Sequence, residues 1–204
     1  MQRPISNSVI SNKDESVPLF ENGILELMSH IHPAIPGIVY LPVLGFFGWQ
    51  AFGQNYWWQA LLAMGAGLLI WSITEYFFHR VIFHHEVKSG LGKRIHFLAH
   101  GVHHAYPQDR TRLLLPPVLS LPAIFAFYLL FWLTLPSIAA ALFAGFVLGY
   151  LAYDYTHYAT HHLNLPGSIG RWLKQNHLRH HFAHEDKSYG VTSPLWDYVF
   201  GTHP

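Results

Sequence analysis

Apolar residues are gathered into long, nearly uncharged runs that come in two pairs. The first, Ile35 to Phe52, holds no charged residue, and the second, Trp57 to Phe78, is interrupted only by Glu75. From Leu113 to Tyr153 no Asp or Glu occurs, and Leu135-Pro136-Ser137 marks a natural turn within that stretch. The second run is roughly 22 residues, about 33 Å of helix, enough to cross a hydrocarbon layer. Pro36 and Pro42 would weaken a soluble helix but are tolerated in a span. The pattern predicts an all-α integral membrane protein with four transmembrane helices in two hairpins, at about 35–52, 57–78, 115–134 and 137–156. A polar N-terminal segment, 1–34, precedes them. Two polar stretches, 79–114 and 157–204, complete the membrane-embedded domain 35–204 as a helical cap.

Composition and charge sharpen this picture. Only 11% of the residues are charged while 51% are apolar, well below the charge of soluble domains. The N-terminal segment lacks a basic stretch running into an apolar one, so a cleaved signal peptide is not expected. Every Lys and Arg lies before the first run, between Arg80 and Arg112, or from Arg171 onward. With four spans these regions share one side of the membrane, which the positive-inside rule makes cytoplasmic. A bacterial inner membrane or the endoplasmic reticulum would suit. A net charge of +1 gives no reason to expect a nucleic-acid partner, and the absence of cysteine excludes disulfides and thiolate metal sites.

Against this background stand 17 histidines, most of them clustered. An H-x-x-H-H triplet at His177, His180 and His181 repeats the spacing of His100, His103 and His104. Positions i, i+3 and i+4 share a helical face, so each triplet can aim at one place. The pairs His79/His84 and His157/His161 close the second and fourth runs. The i,i+4 pair suits one helical face. His79 and His84 are about 140° apart on an ideal helix, so the helix must break there or the two must serve different ions. These ten imidazoles predict two metal ions with five nitrogens each, a donor set suited to iron or zinc. Glu75 and Asp154 lie one turn before His79 and His157, where each could accept a ring N–H from its histidine. Seven histidines fall outside the pattern: His30, His32, His85, His96, His162, His184 and His203.

The motifs together resemble the fatty acid hydroxylase superfamily, and within it the fatty acid 2-hydroxylases that act on sphingolipid acyl chains. The likeness rests on Glu75-Tyr76 with His79-Arg80 and Phe83-His84, then His100-Gly101-Val102-His103-His104 with Pro107 and Asp109-Arg110. It continues through Leu115-Pro116-Pro117, Tyr153-Asp154, His157-Tyr158, His161-His162 and His177-Leu178-Arg179-His180-His181. The tail Tyr189-Gly190-Val191-Thr192-Ser193, with Trp196-Asp197 and Val199-Phe200-Gly201-Thr202, is similar as well.

The resemblance implies an oxygen-dependent dimetal monooxygenase that hydroxylates an acyl chain, free or in ceramide, at the carbon beside its carbonyl. It implies His79, His84, His100, His103, His104, His157, His161, His177, His180 and His181 as ligands, and iron as the active metal. Zinc, which has no redox chemistry, can fill the same cage in a purified sample. Tyr153 and Asp154 are the candidates for lining the substrate end. Trp172, Trp196 and Tyr198 are candidates for docking the cap on the membrane interface. Many relatives carry an N-terminal cytochrome b5 domain, for which the short segment before the first run leaves too little chain. Electrons are therefore expected from a separate carrier, such as a cytochrome b5 or a ferredoxin with its reductase. Two rivals remain: a sterol desaturase-like or carotenoid hydroxylase activity on the same metal cage, and a membrane metal-binding or transport protein. Transporters hold ligands near the bilayer midplane, whereas these histidines lie beyond the ends of the runs.

Overall fold

The computed structural model describes residues 10, 11, 13–85 and 89–204. Among them the chain is helical, with no strand. A short helix α1 (Gly23–Met28) leads into two antiparallel pairs, α2 (Ala34–Gln54) with α3 (Trp57–Phe77) and α6 (Pro117–Thr134) with α7 (Ala139–His162). Between the pairs lie α4 (Gly90–His96) and α5 (Val102–Ala105); α8 (Gly167–Phe182) and α9 (Leu195–Val199) follow. Two π-helical turns, Phe78–Phe83 and Phe97–Gly101, extend α3 and join α4 to α5.

Three helices are long and apolar enough to cross a membrane: Ala34–Gln54, Trp57–Phe83 and Pro117–Thr134. Their outward faces carry large apolar side chains such as Ile38, Trp49, Leu62 and Leu133, all exposed, as lipid-facing positions are. The predicted fourth span is different in kind. Helix α7 buries sixteen residues and forms the centre of the main core, with Phe143, Phe146 and Val147 packed among α2, α3 and α6. Because its neighbours enclose it, α7 tolerates Tyr150, Asp154 and two glycines, Gly145 and Gly149, that lower its hydropathy.

Small residues set how closely the helices approach. Ala60 and Ala63 of α3 pack in one cluster with Ala141 of α7, where Ala141, Gly145 and Gly149 form a small-x-x-x-small series, and Gly67 of α3 lies along the same seam. A Cβ on Gly67 would lie 2.0 Å from the Leu142 carbonyl oxygen, and one on Gly145 only 1.9 Å from that of Met64. Backbone thus meets backbone at both positions, with no flexible side chain to give way. This contact fixes the height of His157 and His161 on α7 relative to His79 at the end of α3.

Gly145→Ala is therefore expected to lower stability by about 1–3 kcal/mol through overpacking, measured as a fall in unfolding temperature in detergent. Gly65→Ala, whose added Cβ meets nothing within 4 Å, serves as the neutral comparison.

Candidate metal centre

The ten histidines singled out by their spacing come together at one end of the helix pairs, in two groups of five. One contains His79, His84, His100, His104 and His180; the other contains His103, His157, His161, His177 and His181. Within each group one ring nitrogen per residue lies within 4.8 Å of all the others. Eight of the ten are buried, His180 fully so. His30, His32, His85, His96, His162, His184 and His203 belong to neither group. His96, next in line by spacing, instead turns its Nε2 to the Phe83 carbonyl.

The groups do not follow the triplets. Each H-x-x-H-H divides, its i,i+4 pair going to one group and its middle histidine to the other. On α8, His181 lies about 40° around the helix from His177 and His180 about 60° the other way, so the two neighbours diverge by about 100°. Two sites side by side can take both. His104 and His181, one from each group, stack with ring centroids 4.1 Å apart across the boundary. The spacing of His79 and His84 is resolved by the π-turn Phe78–Phe83, whose hydrogen bonds reach i+5. That wider turn returns a residue five positions on to the same side, and both rings join one group without a break in the helix.

The donor chemistry fits a cation. Nε2 atoms approach one another at 2.9 Å (His100–His104, His103–His157, His161–His177) and at 3.0 Å (His84–His180). Two nitrogens each about 2.0–2.1 Å from a shared ion at right angles stand about 2.9 Å apart. His103 and His177 each meet two such partners, His181 being common to both at 3.1 Å. A single N–H cannot serve both contacts. Without a cation, lone pairs would face one another in a buried volume; with one, every contact becomes a ligand–ligand edge. Burial, and then the repulsion from His180, hold His84 down to about 3, and burial holds His180 down to about 4. Both are neutral near pH 7, the form that donates to a metal.

The C-terminal tail orients the first group. His79 Nδ1 donates to the Tyr189 carbonyl at 2.6 Å and His180 Nδ1 to that of Lys187 at 2.7 Å, leaving both Nε2 atoms as the inward donors. Two buried carboxylates hold this tail. Asp197 accepts the N–H groups of Tyr189 and Gly190, both at 2.8 Å, and the Thr202 hydroxyl at 2.8 Å. Glu75 accepts Val191 N–H at 2.7 Å and the Thr192 hydroxyl at 2.5 Å. Glu75 therefore acts on His79 through the tail rather than by taking its ring N–H. The sequence contains Asp197 in a family-like motif, but its partners become visible only with the fold. Trp196 fastens the same tail to α3 through Nε1–H to Ser72 Oγ at 3.0 Å. Tyr198 is exposed and stacks on His203, while Trp172 is half-buried on α8.

Tyr153 and Asp154 lie one turn before His157. The Tyr153 ring is 5.5 Å from that of His157, and Asp154 is buried with its Oδ2 unpartnered among the described residues. Both line a cavity of about 320 Å³ whose walls are mostly apolar and which reaches His100 of one group and His103 and His157 of the other.

The fold and site thus define a class: helical proteins with membrane-length apolar helices and two all-histidine groups, each able to hold a metal ion, beside an apolar cavity. Residues 64–202 match the family model of the fatty acid hydroxylases, and the chain belongs to that family. It is 45% identical over 139 residues to the dihydroceramide fatty acyl 2-hydroxylase FAH1 of Arabidopsis thaliana, covering 68% of this chain and 59% of the relative. It is 43% identical over 141 residues to the fatty acid 2-hydroxylase of Homo sapiens, covering 67% of this chain and 38% of that one. A solved structure described as full-length scs7p, with only its hydroxylase domain visible, superposes with a TM-score of 0.87 at 36% identity. That likeness covers 91% of this chain and 71% of the other. The curated relatives are longer than the chain, which spans 62% or less of the plant and human proteins it matches.

Asp197→Asn, which removes the carboxylate that positions the tail, is expected to weaken metal binding at the His79 group by about 10–100-fold. Competition with a chromophoric chelator measures this; unchanged affinity would show that the tail does not orient His79.

Proposed function

We propose that the chain is the hydroxylase domain of a fatty acid 2-hydroxylase, an O2-dependent dimetal enzyme that places a hydroxyl on C2 of an acyl chain, free or in a sphingolipid. The observation that carries this reading is the apolar cavity that ends on imidazoles of both histidine groups. A metal store or transporter has no use for a mostly apolar chamber beside its ligands. The names of the relatives favour 2-hydroxylation over the sterol desaturase-like and carotenoid alternatives.

In this reading the ten histidines ligate two ions. Iron, when bound, supplies the redox and dioxygen chemistry that side chains lack, whereas zinc in the same nitrogens would leave the site inactive. The remaining work falls to the chain. Apolar walls align the acyl chain and exclude bulk water, so that C2 meets the centre in one pose. Asp154, with a buried unpartnered oxygen, and Tyr153, beside His157, hold the polar end of the substrate. Tyr150, whose buried hydroxyl has no hydrogen-bond partner among the described residues, lines the same cavity and is proposed to donate to the acyl carbonyl. Hydroxylation by O2 also consumes two electrons and two protons, releasing the second oxygen atom as water, and an electron donor such as a cytochrome b5 or a ferredoxin with its reductase would supply the electrons. We further propose that α7 is the fourth span and that the histidines face the cytoplasm, as the distribution of Lys and Arg supports.

Iron-loaded protein supplied with an electron donor is expected to yield 2-hydroxylated acyl chains, detected by mass spectrometry of lipid extracts. Asp154→Asn should cut turnover by about a hundredfold, as a mispositioned substrate does, at unchanged metal content. Folded, iron-loaded protein that forms no hydroxylated lipid would overturn the assignment.

A further inference from the structure

The segment ahead of α2 does something the metal centre does not require. Leu19, Phe20, Leu25 and Met28 line the cavity along with Val118 and Leu119 of α6. Yet α1 has no buried residue, and its Ile24 and Leu27 are 71% and 74% exposed. A six-residue helix with apolar side chains both toward a cavity and away from it would not persist in water by its own propensity. It ends at Met28, and α2, long and apolar enough to cross a membrane, begins at Ala34, so in a membrane-spanning arrangement the outer face of α1 would lie near the level where that span enters the interface. Apolar side chains at that level meet head groups and upper acyl chains.

What fastens the segment is polar and centres on one carboxylate. Glu26 accepts the backbone N–H groups of Leu19 at 2.9 Å and Phe20 at 3.0 Å, and it pairs with the guanidinium of buried Arg112. Arg112 donates also to the Val17 carbonyl, and His30 Nε2 lies 3.2 Å from Glu26. At the edges, Ser16 donates to Asp109 at 2.6 Å and Ile31 N–H to the Thr111 carbonyl at 2.6 Å. The wall of the cavity is thus held shut by a latch of few parts.

We propose that residues 19–28 form an interfacial lid, with Ile24 and Leu27 resting in the head-group layer of the bilayer, and that release of the Glu26–Arg112 latch opens the cavity to acyl chains from that leaflet. Only the identity of the entering molecule rests on the proposed function; the bilayer contact and the latch stand without it.

The chain contains no cysteine, so single cysteines report cleanly. Leu27→Cys carrying an environment-sensitive fluorophore, in phosphatidylcholine vesicles, should be strongly quenched by lipid spin-labelled near its head group. The same label on Glu185→Cys, exposed beyond α8, should not be. Equal quenching at the two positions would overturn the bilayer contact. Separately, Leu114→Cys, buried on the cavity wall, should react with a lipid-soluble maleimide about tenfold faster when combined with Glu26→Gln, the factor expected for loss of a charged hydrogen bond. An unchanged rate would overturn the latch. The fluorescence experiment leaves the latch intact and so does not depend on the folding of Glu26→Gln. Both lid effects in a protein that hydroxylates no lipid would keep the lid and discard the substrate.

Discussion

Ten neutral imidazoles converging in a buried volume are mutually repulsive unless cations lie among them. That constraint governs the rest of the structure. Nε2 atoms meet at 2.9–3.1 Å in several contacts that share a nitrogen, which protons alone cannot satisfy. We therefore propose that metal binding and completion of the fold are coupled, as in other sites whose ligands have no reason to assemble alone. The surrounding protein supplies what makes the arrangement tolerable. Burial keeps the rings uncharged, and carbonyl groups of the tail take the outward N–H groups of His79 and His180.

The helix packing serves this centre. Backbone contact at Gly67 and Gly145 locks α3 to α7, and these two helices carry His79 on one and His157 and His161 on the other. The two π-helical turns, α5 and α8 bring the remaining donors, and the tail orients two of the rings. Asp197 and Glu75, neither near enough by sequence to suggest the link, together clamp four consecutive backbone N–H groups from Tyr189 to Thr192. The polar cost of burying two carboxylates is offset by these bonds. The same end of the bundle meets the apolar cavity, so the chemistry of the centre and the solubility of an acyl chain are joined at one place.

Much of this was legible in the residues, and the rest had identifiable reasons for being hidden. Uncharged runs locate the long helices to within a few residues, because lipid-facing and core-facing positions alike exclude charge. Length and apolarity could not tell an enclosed helix from a lipid-facing one, and α7 shows the difference only through its neighbours. Clustering of histidines marked the ten that gather, but H-x-x-H-H spacing is compatible with one site or with two. Only the relative placement of α5 and α8 decides that His103 and His180 cross over. The five-residue gap between His79 and His84 conflicted with an α-helix, and a π-turn is not encoded by any composition that a single sequence displays. The partner of Glu75 lies 116 and 117 residues away, beyond the reach of local pattern.

His103 and His104, adjacent in the chain, fall in different histidine groups and are proposed to serve different ions. Element-specific anomalous diffraction from the metal-loaded protein and from His103→Ala and His104→Ala tests this directly. Two separate peaks are expected in the parent, with a different peak weakened in each variant. Loss of the same peak in both, or a single peak in the parent, would contradict it.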